Sequence, residues 1–213
     1  MPALISALIA YFIGAVPTGL LVGKIGWRTD IRQYGSGNIG ATNVGRVLGP
    51  GAGFLVLGLD VVKGAGAVMG PAWATTGLLT FPVSAGESGS VPIVAAAGAV
   101  ILGNMFSIFI GGKGGKGVGV ASGVLLVMVP EIAAILLLVW LTVRAATKYV
   151  SLASLSIAAL FPALMQLFHG SNETYVVFSL LAAALVFYSH RANIRRLIAG
   201  EELKYDQEVE KSS

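Results

Sequence analysis

Two short stretches of this chain combine residues that bind anions, and a third joins a histidine to cations. In Gly35-Ser36-Gly37-Asn38-Ile39-Gly40-Ala41-Thr42-Asn43-Val44-Gly45-Arg46, closely spaced glycines let backbone N–H groups turn toward an anion. Ser36, Asn38, Thr42 and Asn43 add side-chain donors, and Arg46 is a bidentate clamp for phosphate. A glycine-rich hinge is the bland alternative. The stretch matches GxGxxG at Gly35, Gly37 and Gly40, but it follows an apolar span and no βαβ unit fits the chain, so a dinucleotide fold is rejected. The second stretch, Gly111-Gly112-Lys113-Gly114-Gly115-Lys116-Gly117, is not a Walker A loop, because neither lysine has the required glycine before it and hydroxyl after it. Its glycines would let Lys113, Lys116 and loop amides converge on phosphate, whereas orientation in a membrane would need only the lysines. In the third, His190-Arg191-Ala192-Asn193-Ile194-Arg195-Arg196, helical spacing sets His190, Asn193 and Arg196 on one face. A basic helix lying on anionic lipid is the competing use.

Weaker signals lie elsewhere. Ser151 and Ser154, one turn apart, either cap a helix or line a pocket, capping being the commoner use. Asp60 and Lys63, at i and i+3 in an apolar run, are a functional pair or simply satisfy each other. The chain has no Cys, so thiolate catalysis and disulfides are excluded. Outside the tail and outer loops the acids are Asp30 and Asp60, too few for a Mg²⁺ site, and no acid is placed to orient His190 in a serine-type triad. The inventory fits substrates that bring their own phosphates and an already activated bond.

The elements that position these loops are membrane helices. Charged residues are 11% of 213, against about 25% in soluble domains. Runs at Ala3–Gly23, Val91–Ile110 and Val150–Phe168 carry no charge and reach or approach the ~20 residues that cross a bilayer, with a shorter one at Thr174–Ser189. Gly51–Thr80 is a further span, starting in the interface or bending near Pro71. Val118–Val143, interrupted by Pro130 and Glu131, is one kinked helix or a hairpin of two helices of about 12 residues. As a hairpin it makes seven crossings and puts 13 of the 14 basic residues on one side, Lys63 being within a span. A single crossing would split them six against seven, so the positive-inside rule selects the hairpin. The N-terminus is then outside, the C-terminus cytoplasmic, and the outer loops lie around Glu87, Glu131 and Glu173. The net charge of +4 is read as topology, not nucleic-acid binding. His169 is expected in an outer loop, and the acidic tail, residues 201–213, as a solvated terminus after one domain over residues 1–200.

With GSGNIGATN and Arg46, DVVKG from Asp60, KGGKG from Lys113, HRANIRRL from His190 and GAVPTG in the first span, the chain resembles the bacterial integral-membrane acyl phosphate:glycerol-3-phosphate acyltransferases over almost its whole length. The resemblance implies an all-α, seven-helix protein of the bacterial inner membrane with cytoplasmic active-site loops. It implies transfer of a fatty acyl group from acyl phosphate to the sn-1 hydroxyl of glycerol 3-phosphate, with no covalent acyl-enzyme, cofactor or metal, in a monomer surrounded by membrane lipid. Departures from the family's pattern are Asn104 for His, Gly112-Lys113 for Phe-Lys and Ala192 for Glu. Ser36, Lys116, His190 and Asn193 are the catalytic candidates. Gly37, Asn38, Thr42, Asn43, Arg46, Lys113, Ser151, Ser154 and Arg196 are the substrate-binding candidates. Lys116 is preferred to Lys113 as the key lysine because it follows the Gly-Gly pair. A small phosphate-ester or anion transporter is the alternative from another class.

Overall fold

A computed structural model describes residues 2–76 and 90–206. The expected loop around Glu87 and the end of the second span, residues 77–80, lie outside the described residues. Within them the chain is helical, with no strand. The first apolar run is a broken helix, α1 (Pro2–Ala15) and α2 (Thr18–Trp27), interrupted at Pro17, which has no N–H for the ladder. After the first polar loop come α3 (Ala41–Leu48), α4 (Pro50–Thr76) and α5 (Ser90–Met105). Next are α6 (Val118–Met128), α7 (Pro130–Thr147), α8 (Val150–His169), α9 (Glu173–Ser189) and α10 (Arg191–Ala199). Five segments are long and apolar enough to cross a bilayer alone. Among the described residues there is a sixth if α9 and α10, bent by 58° at their junction, are counted as one broken span.

The outside of the bundle is apolar and its inside is small. Leu4, Ile25, Phe54, Leu138 and Leu167 are each more than 60% exposed, while Ala96, Ala97, Val100 and Val120 are sealed. That is the surface of a protein in lipid. Helix–helix association in lipid gains little from burying apolar surface, so close backbone approach must supply it. Here α4 and α6 cross through Gly64, which leaves no room for a Cβ beside the Val120 carbonyl, and Gly123, equally closed against the Val61 carbonyl. The α1–α5 crossing uses Gly14 against Val100 and Gly103 against Tyr11 in the same way.

The Val118–Val143 region folds back on itself. Val118 and Leu136 would stand ~27 Å apart on a continuous helix, yet they line one small apolar cavity. Pro130 starts α7 at a position that needs no N–H donor. The arms are unequal, 11 and 18 residues, not the matched pair of about 12 expected. At ~16 Å, α6 is a half-span held by its glycine contacts with α4. The polar loops therefore emerge on one face. On the opposite face His169 is not a free loop residue, since its Nε2 lies 2.7 Å from Glu131 Oε1.

Candidate active site

The first polar loop is shaped by Asn43. Its Oδ1 accepts the Ser36 N–H at 2.9 Å, and its Nδ2 donates to the carbonyls of Tyr34 (3.0 Å) and Asn38 (2.9 Å), with a longer contact to Ile31. Asn43 is buried and its hydrogen-bonding capacity is used on backbone. It is thus a staple of the loop, not the free donor expected from sequence. Asn38 Oδ1 accepts the Gly40 N–H and finishes the approach to α3. Among the described residues, the first two N–H groups of α3, those of Ala41 and Thr42, have no backbone partner, and both residues line a cavity of about 550 Å³. That volume lies in the usual range for ligand sites.

The lysine loop is built differently from the expectation. Its amides do not point at an anion. Those of Gly112, Lys113, Gly114 and Gly115 return to carbonyls at the end of α5 and the turn after it, and that of Gly117 to Asn104 Oδ1 at 3.1 Å. The glycines thus pack the loop onto the helix end, and Asn104 staples it. Lys116 is turned inward and Lys113 is exposed, contributing nothing to the cavity. Gly37 also stands outside the cavity lining, as do Gly112 and Ala192, both exposed.

The third element closes the site. Lys116 Nζ donates to Asn193 Oδ1 at 2.7 Å, Asn193 Nδ2 donates to Glu202 Oε1 at 2.6 Å, and Arg196 Nε donates to Glu202 Oε2 at 2.7 Å. Glu202 is the residue sequence reasoning missed. The tail after Gly200 is not a solvated terminus at its start. The N–H of Glu201 bonds the Arg196 carbonyl and that of Gly200 the Leu197 carbonyl, a Schellman turn that needs the left-handed backbone of Gly200 (φ 74°). The turn drives Glu202 down among the cations, where it is 7% exposed. Leu203 follows, its carbonyl accepting Arg46 Nη2 at 2.8 Å, and the Arg144 guanidinium sits 4.1 Å over the Tyr205 ring. A glycine after an amphipathic basic helix followed by Glu was the available signal.

Buried charges here have altered acidity. Burial, helped by Arg196 and Arg46 and opposed by Glu202, pulls Lys116 down to about 8. Burial raises Glu202, but hydrogen bonds from Asn193 and Arg196 outweigh it and keep the carboxylate ionised below its ordinary range. The neighbouring Ser151 hydroxyl favours the same form without closing a hydrogen bond of standard geometry. His190, just past the end of α9, is 2% exposed, and burial together with the Lys116 charge lowers it to about 4. Its Nδ1 lies 2.8 Å from the Val186 carbonyl, which assigns the ring proton to Nδ1 and leaves Nε2 with a lone pair. Among the described residues, two side-chain polar atoms are sealed without a hydrogen-bond partner, Arg46 Nε and Ser151 Oγ. Neither serine caps α8: Ser154 donates to the Val150 carbonyl and receives Trp140 Nε1 at 3.3 Å. Ser36, Asn38, Thr42, Asn43, Arg46, Lys116, Ser151, Ser154, His190, Asn193 and Arg196 all border the cavity. Its other half is apolar, formed by Leu125 and Leu126 of α6, Leu136, Leu137 and Trp140 of α7, and Ile157 of α8.

The family model described as glycerol-3-phosphate acyltransferase matches residues 4–200. The chain belongs to that family. The glycerol-3-phosphate acyltransferase of Geobacillus kaustophilus is 42% identical over 204 residues, 96% of each chain. Two solved structures of PlsY (YgiH), an integral membrane glycerol 3-phosphate acyltransferase, superpose with this chain. The glycerol 3-phosphate form has a TM-score of 0.83 and 35% identity, covering 96% of each chain. The lysophosphatidic acid form has a TM-score of 0.80 and 34% identity, covering 96% of this chain and 95% of the other. An all-helical, multi-pass membrane acyltransferase is therefore the frame in which this site works.

Proposed function

We propose that the chain transfers a fatty acyl group from acyl phosphate to the sn-1 hydroxyl of glycerol 3-phosphate, releasing lysophosphatidic acid and phosphate. The observation that carries this reading is one cavity with a cationic half and an apolar half. Arg46, Lys116 and Arg196 meet there with the neutral His190 and the start of α3, beside leucines that suit an acyl chain. Family membership supports the acyltransferase chemistry, and the relatives solved with glycerol 3-phosphate and with lysophosphatidic acid correspond to the acceptor and the product.

An acyl phosphate is a mixed anhydride with a good leaving group, so no acyl-enzyme is required. The work left to the protein is to hold two phosphate groups against their repulsion, align hydroxyl and carbonyl, and stabilise the oxyanion. Ser36 and the amides at the start of α3 hold the acyl phosphate, with Thr42 and Asn38 beside them. Arg46, Lys116, Arg196 and Asn193 hold the glycerol phosphate, and Ser151 completes the wall. The free N–H groups of Ala41 and Thr42 or the Asn38 amide supply the oxyanion donors. His190 Nε2 takes the hydroxyl proton as the C–O bond forms and phosphate leaves. The two bound phosphates raise its basicity from the low value of the empty site.

Residues 1–200 form the catalytic domain, and the tail from 201 contributes Glu202 and Leu203 to its wall. We place the chain in the bacterial inner membrane as a monomer, with seven crossings counting the α6–α7 hairpin and the loop face cytoplasmic, following the positive-inside bias. Initial rates test the direct route. Varying both substrates should give intersecting double-reciprocal lines, whereas parallel lines and acyl-protein trapped by hydroxylamine would require a covalent intermediate.

A further inference from the structure

Asp60 and Lys63 have no role in the chemistry above, yet both are charged, inside a span and joined at 3.0 Å, and Asp60 also borders the active-site cavity. A charged pair costs much in that position unless every oxygen and proton is used. Most of that capacity is used, at the Lys63 ammonium and at Asp60 Oδ1. The break between α1 and α2 takes the carbonyls of Gly14, Ala15 and Val16 out of the helical ladder, that of Val16 also accepting the Thr18 N–H at 2.9 Å. Lys63 Nζ donates to Val16 (2.9 Å) and Gly14 (3.4 Å), and Ser107 Oγ donates to Ala15. Asp60 Oδ1 then accepts Thr18 Oγ1 at 2.5 Å and pins the first residue of α2 to α4.

The next residue carries the effect to the active site. Gly19 meets the Ile39 carbonyl with no room for a Cβ, and the Val44 side chain packs against it. Ile39 immediately precedes Gly40, whose extended backbone starts α3, and Leu20, Ile39, Val44 and Val56 form a small core of their own. We propose that Thr18, Asp60 and Lys63 are positioning residues for acyl transfer: they fix the broken first span against α4, and α2 in turn fixes the first loop.

The inference rests on the acyltransferase reading for its kinetic arm but has an arm free of turnover. Because the chain has no Cys, a spin label at a single introduced Ser36→Cys reports the first loop alone. Thr18→Val keeps the volume and both charges, so the fold survives. It should mobilise that label and lower kcat/KM for acyl phosphate about tenfold, the loss expected for one hydrogen bond to a charged acceptor. Asp60→Asn with Lys63→Met, which leaves no unpaired charge, should do the same or more, and Lys63→Arg should restore most of the activity. In an Asn43→Ala background, where the loop is already released, Thr18→Val should add little. Unchanged label motion and unchanged kinetics in the folded variants would overturn the inference, as would effects of Thr18→Val and Asn43→Ala that simply multiply. Failure of the unlabelled wild-type protein to transfer from acyl phosphate, while the label on Ser36→Cys still responds to Thr18→Val, would overturn the functional reading alone.

Discussion

Raising the pH past 8 should discharge Lys116 and remove a main holder of the acceptor phosphate. The ammonium is buried beside Arg196 and Arg46, with Glu202 only partly compensating, and its pKa falls to about 8. A lysine is charged below its pKa and neutral above it, so about nine-tenths of the free enzyme is competent at pH 7 and about one-tenth at pH 9. Log kcat/KM for glycerol 3-phosphate should then fall with unit slope above pH 8. It should also fall below about 6, where the substrate phosphate dianion takes up a proton. The limb in kcat should sit higher, because bound phosphate dianion stabilises the charged lysine. Lys116→Arg keeps the charge at every accessible pH and should abolish the basic limb, at some loss of rate since a planar fork replaces a point charge. Lys116→Met should lose about 10- to 150-fold in kcat/KM at pH 7, the range for a hydrogen bond to a charged group. Phosphate release, corrected for enzyme-free hydrolysis of the donor, measures all of these. A wild-type profile flat to pH 10, or a basic limb at the same pH in Lys116→Arg, would refute the assignment.

Four further substitutions read other parts of the account. Glu202→Gln removes the charge that supports protonated Lys116, so its basic limb should move below pH 8 and the protein should unfold at lower temperature in detergent. His190→Gln should lower kcat about 100-fold or more, and near-wild-type kcat with an unchanged pH profile would remove His190 as the base. Lys113→Ala should stay within about twofold of wild type in kcat/KM, since exposed side chains away from the site matter little. Gly123→Leu places a side chain where the Val61 backbone already lies and should abolish monodisperse folded protein in size-exclusion chromatography.

What could be read from the sequence followed from local rules. Gly, Asn and Arg in GSGNIGATN marked the first loop because close glycines and amide side chains act within a few residues of one another. The α6–α7 turn at Val129 was legible from charge parity, a property of the whole chain, although parity could not give the unequal arms. The partnerships of particular atoms were not legible. Asn43 looks like a free donor until folding brings the carbonyls of Tyr34 and Asn38 onto its amide. Lys113 and Lys116 have nearly equivalent neighbours in sequence and are separated only by which one the loop's bonds to α5 turn inward. Glu202 sits among the acids of a terminal stretch, and only the turn at Gly200 carries it back to Arg196.

The most direct measurement is phosphate release by the purified protein in lipid mesophase, with palmitoyl phosphate as donor, glycerol 3-phosphate present or absent, and palmitoyl-CoA as the control donor. Release should need both palmitoyl phosphate and glycerol 3-phosphate, with lysophosphatidic acid formed in equal amount and none from the CoA donor. Turnover from palmitoyl-CoA, or no acyl transfer by folded protein given palmitoyl phosphate and glycerol 3-phosphate, would contradict the account.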